Sequence, residues 1–249
     1  MATSKGAGRY ANEEVECTYR YPSDYRPKKI TTQLNILNQL FGGIGNANLK
    51  LAEQPLPKNA EAWFAIPKWQ SVSRTYAKAA DKVLQLLIKQ RDCGFWGYPE
   101  IYEGYVRQRK RKIRMLNALA NHQKGYKILV VAAQFGLFHG GRSPRRARWV
   151  FAKNEVGLGV FEVGCMILVH QKRFQSGNEL WADCAGDMSS TCNDYTFDST
   201  PCFGFREERE VRLGWRKSRG KGSLELDENS SDIGTFDSGS ASAFLPEGD

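Results

Sequence analysis

The run Tyr126–Phe135 (YKILVVAAQF) constrains this chain more than any other stretch. Apolar and β-branched residues follow one another in it, and successive side chains of a strand point to opposite faces, so a strand here must be covered on both sides. Other segments have to supply the covers. Arg74–Arg91 places Tyr76, Ala79, Ala80, Val83, Leu84, Leu87 and Ile88 at intervals of three or four, the apolar stripe of an amphipathic helix. A second helix is expected over Ile101–His122, with Val106, Ile113, Leu116 and Ala120 on one face. A shorter one over Thr31–Phe41 stops at Gly42-Gly43, and Ala62–Ile66, ended by Pro67, reads as another strand.

The second half of the chain turns to strands. Ser143 opens a third helix running to about Asn154. The apolar run Val156–Val169 fits a bulged strand or a buried helix, which its periodicity does not separate, and Gly157, Gly159 and Gly164 with its β-branched valines favour the strand. Glu179–Cys184 reads as a short strand, and residues 202–216 as a hairpin with Phe203 and Phe205 on one arm and Val211, Leu213 and Trp215 on the other. The expected class is α+β, with helices from the N-terminal half packed on a mixed or antiparallel sheet drawn largely from the C-terminal half. The chain divides into an N-terminal arm over residues 1–28, a basic domain over 29–222 and an acidic tail over 223–249. The arm carries Tyr10, Tyr19, Tyr21 and Tyr25 and is expected to order only by docking on something.

At 249 residues the chain can bury roughly 70–75% of its unfolded surface, so it needs neither disulfide nor metal to hold a core. Its six cysteines (17, 93, 165, 184, 192 and 202) form no C-x-x-C pair, which argues against a zinc ribbon or a disulfide framework. Met1–Tyr10 holds no apolar stretch of the signal-peptide kind, and Val156–Val169 is too short and interrupted to span a bilayer. A reducing, cytoplasmic setting without a membrane partner is the expectation.

Charge is unevenly placed. Residues 223–249 carry seven acids and no Lys or Arg, so the net +9 of the whole chain leaves +16 on residues 1–222. Such asymmetry points to nucleic acid or another polyanion, against the plainer reading of a solvated basic face. Six basic residues crowd Arg107–Arg114, and on one helix Arg107, Arg111 and Arg114 would form a ridge suited to phosphates. A second cluster, Arg216, Lys217 and Arg219, follows the expected hairpin and could wrap a backbone. The third feature is the passage from strand through Gly136–Arg142 to Ser143-Pro144-Arg145-Arg146-Ala147-Arg148. A strand that leads through glycines into a helix N-terminus exposes N–H groups, so Arg142, Ser143, Arg145, Arg146 and Arg148 are expected to hold a phosphate. The loop is neither a Walker A motif nor G-x-G-x-x-G.

For catalysis the candidates are Asp183, Asp187 and His139, with Glu162 in support. Carboxylates near a strand end could hold Mg²⁺ and activate water against a phosphodiester, with His139 as acid or base. That is the one reading that calls for a cofactor. Asp183 and Asp187 would otherwise be turn formers. G-x-S-x-G and H-E-x-x-H are absent, and Cys184 lies between acids that would raise its pKa. A third possibility is a structural or assembly protein, for instance of a phage particle.

The phrases Trp63-Phe-Ala-Ile-Pro67, Gly141-Arg-Ser-Pro-Arg-Arg-Ala-Arg148 and Trp181-Ala-Asp-Cys-Ala-Gly-Asp187 resemble stretches of uncharacterised bacterial and phage-type proteins. The resemblance spans roughly residues 50–190. It implies a bacterial cytoplasm, and neither an activity nor a catalytic residue comes with it.

Overall fold

The computed structural model describes residues 8–91, 105–190, 197–206, 210–213, 216–219 and 223–246. In chain order the first elements are α1 (Ile30–Phe41), β1 (Ala62–Pro67), α2 (Tyr76–Arg91), β2 (Val106–Gln108), α3 (Lys110–His122), β3 (Ile128–Gln134), α4 (Pro144–Val150), β4 (Glu155–Gly157) and α5 (Val160–Val169). There follow β5 (Trp181–Asp183), β6 (Asp187–Ser189), β7 (Ser199–Arg206), β8 (Glu210–Leu213), β9 (Arg216–Arg219), β10 (Ser223–Ser230), β11 (Ser238–Ser240) and β12 (Ser242–Phe244). The protein is α+β, with helices mostly early and strands mostly late.

β3 is buried at every position and sits inside a four-stranded sheet of order β1-β3-β12-β4, in which every pairing is antiparallel. A second sheet has the order β11-β5-β7-β6-β2, with β10 added against β7. The helix α5 packs against α1, α2, β1 and β7 and so ties the two sheets together. Phe64, Val131, Val83, Leu87, Phe161 and Phe203 belong to the core cluster around it.

The run that fits either a bulged strand or a buried helix is the short β4 followed by a helix, and all ten residues of α5 are buried. A helix apolar at nearly every position but Glu162, with no solvent face, carries no amphipathic period to betray it. Its glycines serve close approach. A Cβ at Gly164 would lie 2.5 Å from Cγ1 of Val83 on α2, and one at Gly159 would lie 2.2 Å from Asp187 Oδ2 and from Lys112 Nζ.

The helix expected over Ile101–His122 begins only at Lys110, because β2 pairs with β6 and Arg109 donates its N–H to the Gly186 carbonyl at 2.9 Å. Residues 101–104 lie outside the described residues. The buried face of α3 carries Lys112 and Leu119, whereas Ile113 is exposed. The expected hairpin over 202–216 is also corrected. β7 pairs with β10 along its whole length, and β8 pairs with β9 as a separate ribbon. The segment expected as an acidic tail is built into both sheets, with β10 and its acids Glu225, Asp227 and Glu228 and β11 in one, and β12 between β3 and β4 in the other.

The N-terminal residues lie against the body. Ser143 donates its N–H to the Glu13 carbonyl and Val15 to the Gly141 carbonyl, while Tyr25 is buried against Phe135 and His170. Gly141 has φ 80°, and a Cβ there would lie 2.1 Å from the Val15 carbonyl oxygen, so the docked arm requires glycine at this turn. Among the described residues no helix is long and apolar enough to cross a membrane.

Candidate functional site

The glycine turn after β3 forms, and its anion is already supplied. Ser143 caps α4, its Oγ accepting from the Arg146 N–H at 2.9 Å and donating to Glu13 Oε2 at 2.6 Å. Arg145 pairs with Glu13, and Arg142 and Arg146 pair with Glu14. Burial by itself would raise the Glu13 pKa, but hydrogen bonds from Arg145 and Ser143 hold it below the ordinary carboxylate value. The positive end of a helix and three guanidinium groups attract a carboxylate as they would a phosphate. The chain's own arm therefore occupies the place expected for a phosphate at Arg142, Ser143, Arg145 and Arg146, on a helix of seven residues.

His139 is buried rather than poised for acid or base work on a substrate. Its Nδ1 faces Arg142 Nη1 at 3.0 Å and can only accept there, so Nε2 carries the proton donated to Glu155 Oε1 at 2.7 Å. Ser242 on β12 donates to the same Glu155 oxygen at 2.6 Å. Burial holds the imidazole below its usual pKa. The line His139–Glu155–Ser242 ties the glycine turn to β4 and β12.

Asp183 and Asp187 have separate partners. Asp183 accepts from Asn229 at 2.7 Å and from Ser238 at 3.2 Å, and burial raises its pKa to about 6. Asp187 caps α5 by accepting the Val160 N–H at 2.9 Å, and it accepts from Tyr76 at 2.5 Å and from Lys112 at 2.8 Å. Lys112 also reaches Glu162 Oε2 at 2.7 Å and the Tyr76 hydroxyl at 2.7 Å, so all three ammonium protons are used. Burial opposes the charge on Lys112, yet the two carboxylates keep its pKa above the ordinary lysine value. Among the described residues no group of three or more His, Cys, Asp or Glu side chains could hold a metal ion. The Mg²⁺ arrangement expected of Asp183, Asp187 and His139 is therefore not assembled, because each carboxylate already has internal donors.

The expected ridge of Arg107, Arg111 and Arg114 is also divided. Arg107 lies on β2 with its guanidinium 3.9 Å from the centroid of the Phe197 ring. Arg111 donates to the carbonyls of Ala152, Lys153 and Glu155, which anchors α3 to the chain after α4, and Arg114 is exposed. Arg216, Lys217 and Arg219 lie on β9, and their side chains fall outside the described residues.

Two arginines touch no acid directly, although Asp187 acts on Arg109 and Asp183 on Arg148 through space. Arg148 on α4 reaches only the Thr200 hydroxyl, at 3.5 Å, and Arg109 has its Nε buried without a hydrogen-bond partner. Among the described residues neither makes an ion pair. Burial first, and then the nearby Arg109 charge, lower Arg148 to about 9, which leaves it charged at neutral pH. Burial also lowers Arg109. The Thr200 and Ser231 hydroxyls, 2.8 Å apart, stand beside Arg148. Partly buried like charges with idle donors and neighbouring hydroxyls make a recess suited to an anion.

No protein-family model, curated protein or solved structure matches this chain. The recess therefore has to be read from its own chemistry. Sequence reasoning singled out Arg148 and passed over Arg109, Tyr76, Lys112 and Thr200 as site residues. The basic run containing Arg109 and Lys112 was visible, but its change from strand to helix at Arg109 sets which side chains turn inward, and composition carries no trace of that.

Proposed function

We propose that the protein binds a nucleic acid, or another phosphate-bearing polyanion, mainly through backbone phosphates. The observation that carries this reading is the pair Arg109 and Arg148, two half-buried guanidinium groups near each other that make no direct ion pair among the described residues. Holding such a pair together costs free energy that a phosphate would offset through charge-assisted hydrogen bonds. Exposed Arg107 and Arg114 extend the positive surface available to a strand of phosphates. The reading requires no cofactor. The cytoplasm is the setting we infer with it, supported by four free thiols at Cys17, Cys165, Cys184 and Cys202.

The test is fluorescence anisotropy with labelled single- and double-stranded oligonucleotides across 50–200 mM salt. With about six phosphates neutralised, affinity falls about 10³-fold over that range. Arg109→Gln with Arg148→Gln lowers affinity at least tenfold and flattens the slope of log K against log salt by about 0.9 per lost contact. Binding that is flat with salt, or a double variant that binds like the parent, defeats the proposal.

A further inference from the structure

The outer face of α4 carries Arg145, Arg148 and Trp149, while Pro144, Arg146 and Ala147 are buried. Residues three and four apart on a helix have Cβ atoms about 5–6 Å from each other, so the Arg145 side chain neighbours both of the others. Trp149 is 54% exposed, against the usual tendency of an indole to be covered. The N-terminal arm holds the ring without hiding it. Tyr10 meets it edge-on, with centroids 6.3 Å apart and planes at 87°, and the Arg9 guanidinium lies 5.6 Å from its centroid. Arg145 is committed to Glu13 and Asp232 and lies 4.3 Å from the Tyr10 centroid, so it braces the aromatic pair. Arg148 reaches the Thr200 hydroxyl at 3.5 Å and makes no direct ion pair among the described residues. A cation suited to a phosphate thus stands one residue from an aromatic ring that is open to a base.

A duplex keeps its bases stacked and paired inside, whereas a single strand presents phosphates and base faces together. A basic surface alone binds phosphates of either form, and it is the aromatic ring that tells them apart. We propose that the ligand is a single-stranded nucleic acid, one base stacking on the Trp149 indole while an adjoining phosphate meets Arg148. The inference rests on the phosphate reading above and adds to it the base contact and the strandedness. Charge favours this occupant over a protein. α4 contains three arginines and no acid, and Arg9 adds a further cation beside the indole. A second copy of the chain seated on the same face would bring these arginines against themselves, which costs affinity, whereas a strand of phosphates complements them.

Fluorescence anisotropy at 50 mM salt tests it, with labelled oligothymidylate, oligouridylate, a duplex and an abasic oligomer, all of one strand length. At least one of the two single strands binds tenfold or more tightly than the duplex and the abasic oligomer, and the stronger of the two names the sugar. Trp149→Ala weakens that single strand about tenfold and leaves the abasic oligomer unchanged. It also keeps the slope of log K against log salt, because no phosphate contact goes with the ring. Trp149→Phe, which retains a ring, stays within threefold of the parent. Phe236→Ala, at an aromatic residue 53% exposed and packed on Tyr19, binds like the parent. Should Trp149→Ala unfold the protein, the four oligomers on the parent decide alone. Equal affinity for all four, preference for the duplex, or a folded Trp149→Ala that loses no more than Phe236→Ala overturns the proposal and leaves the phosphate reading in place. Binding that is absent or flat with salt overturns both. A dimer of the parent in sedimentation that Trp149→Ala dissolves, with single-strand affinity unchanged, assigns the ring to a second copy and overturns the proposal too.

Discussion

Arg145 and Arg148 leave the same seven-residue helix three positions apart and meet opposite surroundings. Arg145 pairs with Glu13 from the N-terminal arm, while Arg148 meets a threonine hydroxyl and the charge of Arg109. The contrast separates cations that hold the fold from cations left over for a partner. Formal charge counts the two alike. A guanidinium matched by an internal carboxylate adds little to the field that a phosphate feels, whereas one held near a second guanidinium adds nearly all of its own. The contrast can be pressed at its paired extreme, at the arm, and at the unpaired recess.

The paired extreme is Lys112, the most completely satisfied cation described. Lys112→Met leaves Asp187 and Glu162 buried without their counter-charge and is expected to cost about 3–5 kcal/mol. Urea denaturation followed by tryptophan fluorescence measures it. A loss under about 1 kcal/mol would mean that the two carboxylates find water or protons easily, and the distinction between paired and unpaired cations would lose its energetic basis.

A smaller effect, and a sharper one for function, is expected at the arm. Glu13→Ala with Glu14→Ala removes the internal anions of the glycine turn from Arg142 and Arg145, which reach the surface. Oligonucleotide affinity at 50 mM salt should rise about tenfold while the urea midpoint falls, since two carboxylates no longer neutralise these cations. Unchanged affinity in a folded variant would show that these arginines turn away from any ligand even when free.

The central strand, the first helix with its glycine stop, α2 and the Ser143 cap were legible because each rests on local signals: apolar period, a left-handed Gly42, a hydroxyl before proline. What escaped was long-range. Nothing near α4 in sequence announces Glu13 and Glu14, more than a hundred residues earlier, as its anions. Nothing in the acidic C-terminal run says that Ser242–Phe244 fills a gap between β3 and β4. The glycines of Val156–Val169 weaken helix and strand alike, and only the positions of Val83, Asp187 and Lys112 explain them. The basic clusters count as charge in the sequence, and their availability depends on partners that only the fold brings near.

The smallest expected effect lies at the recess itself, where Asp183 modulates Arg148. Burial raises Asp183 from an ordinary 3.8 to about 6, and the Arg148 charge acts in the opposite sense. Its folded value lies above its unfolded one, so its contribution to stability is complete below about pH 3.8 and is lost as pH rises through about 6. For binding the same titration has a clear sign. Below pH 6 Asp183 is neutral and Arg148 acts on an anion unopposed; above it, the carboxylate competes for the same charge. Oligonucleotide affinity at fixed ionic strength should therefore fall roughly two- to fivefold between pH 5 and pH 7, a modest change because Asp183 and Arg148 act on each other through space without an ion pair. Asp183→Asn should hold the affinity near its low-pH level throughout. Arg145, matched by a Glu13 that stays ionised over this interval because its pKa lies below the ordinary value, should add nothing to the slope. A pH profile that is steep in Asp183→Asn, or that disappears when Arg145 rather than Arg148 is replaced by glutamine, would place the bound phosphate at the wrong arginine.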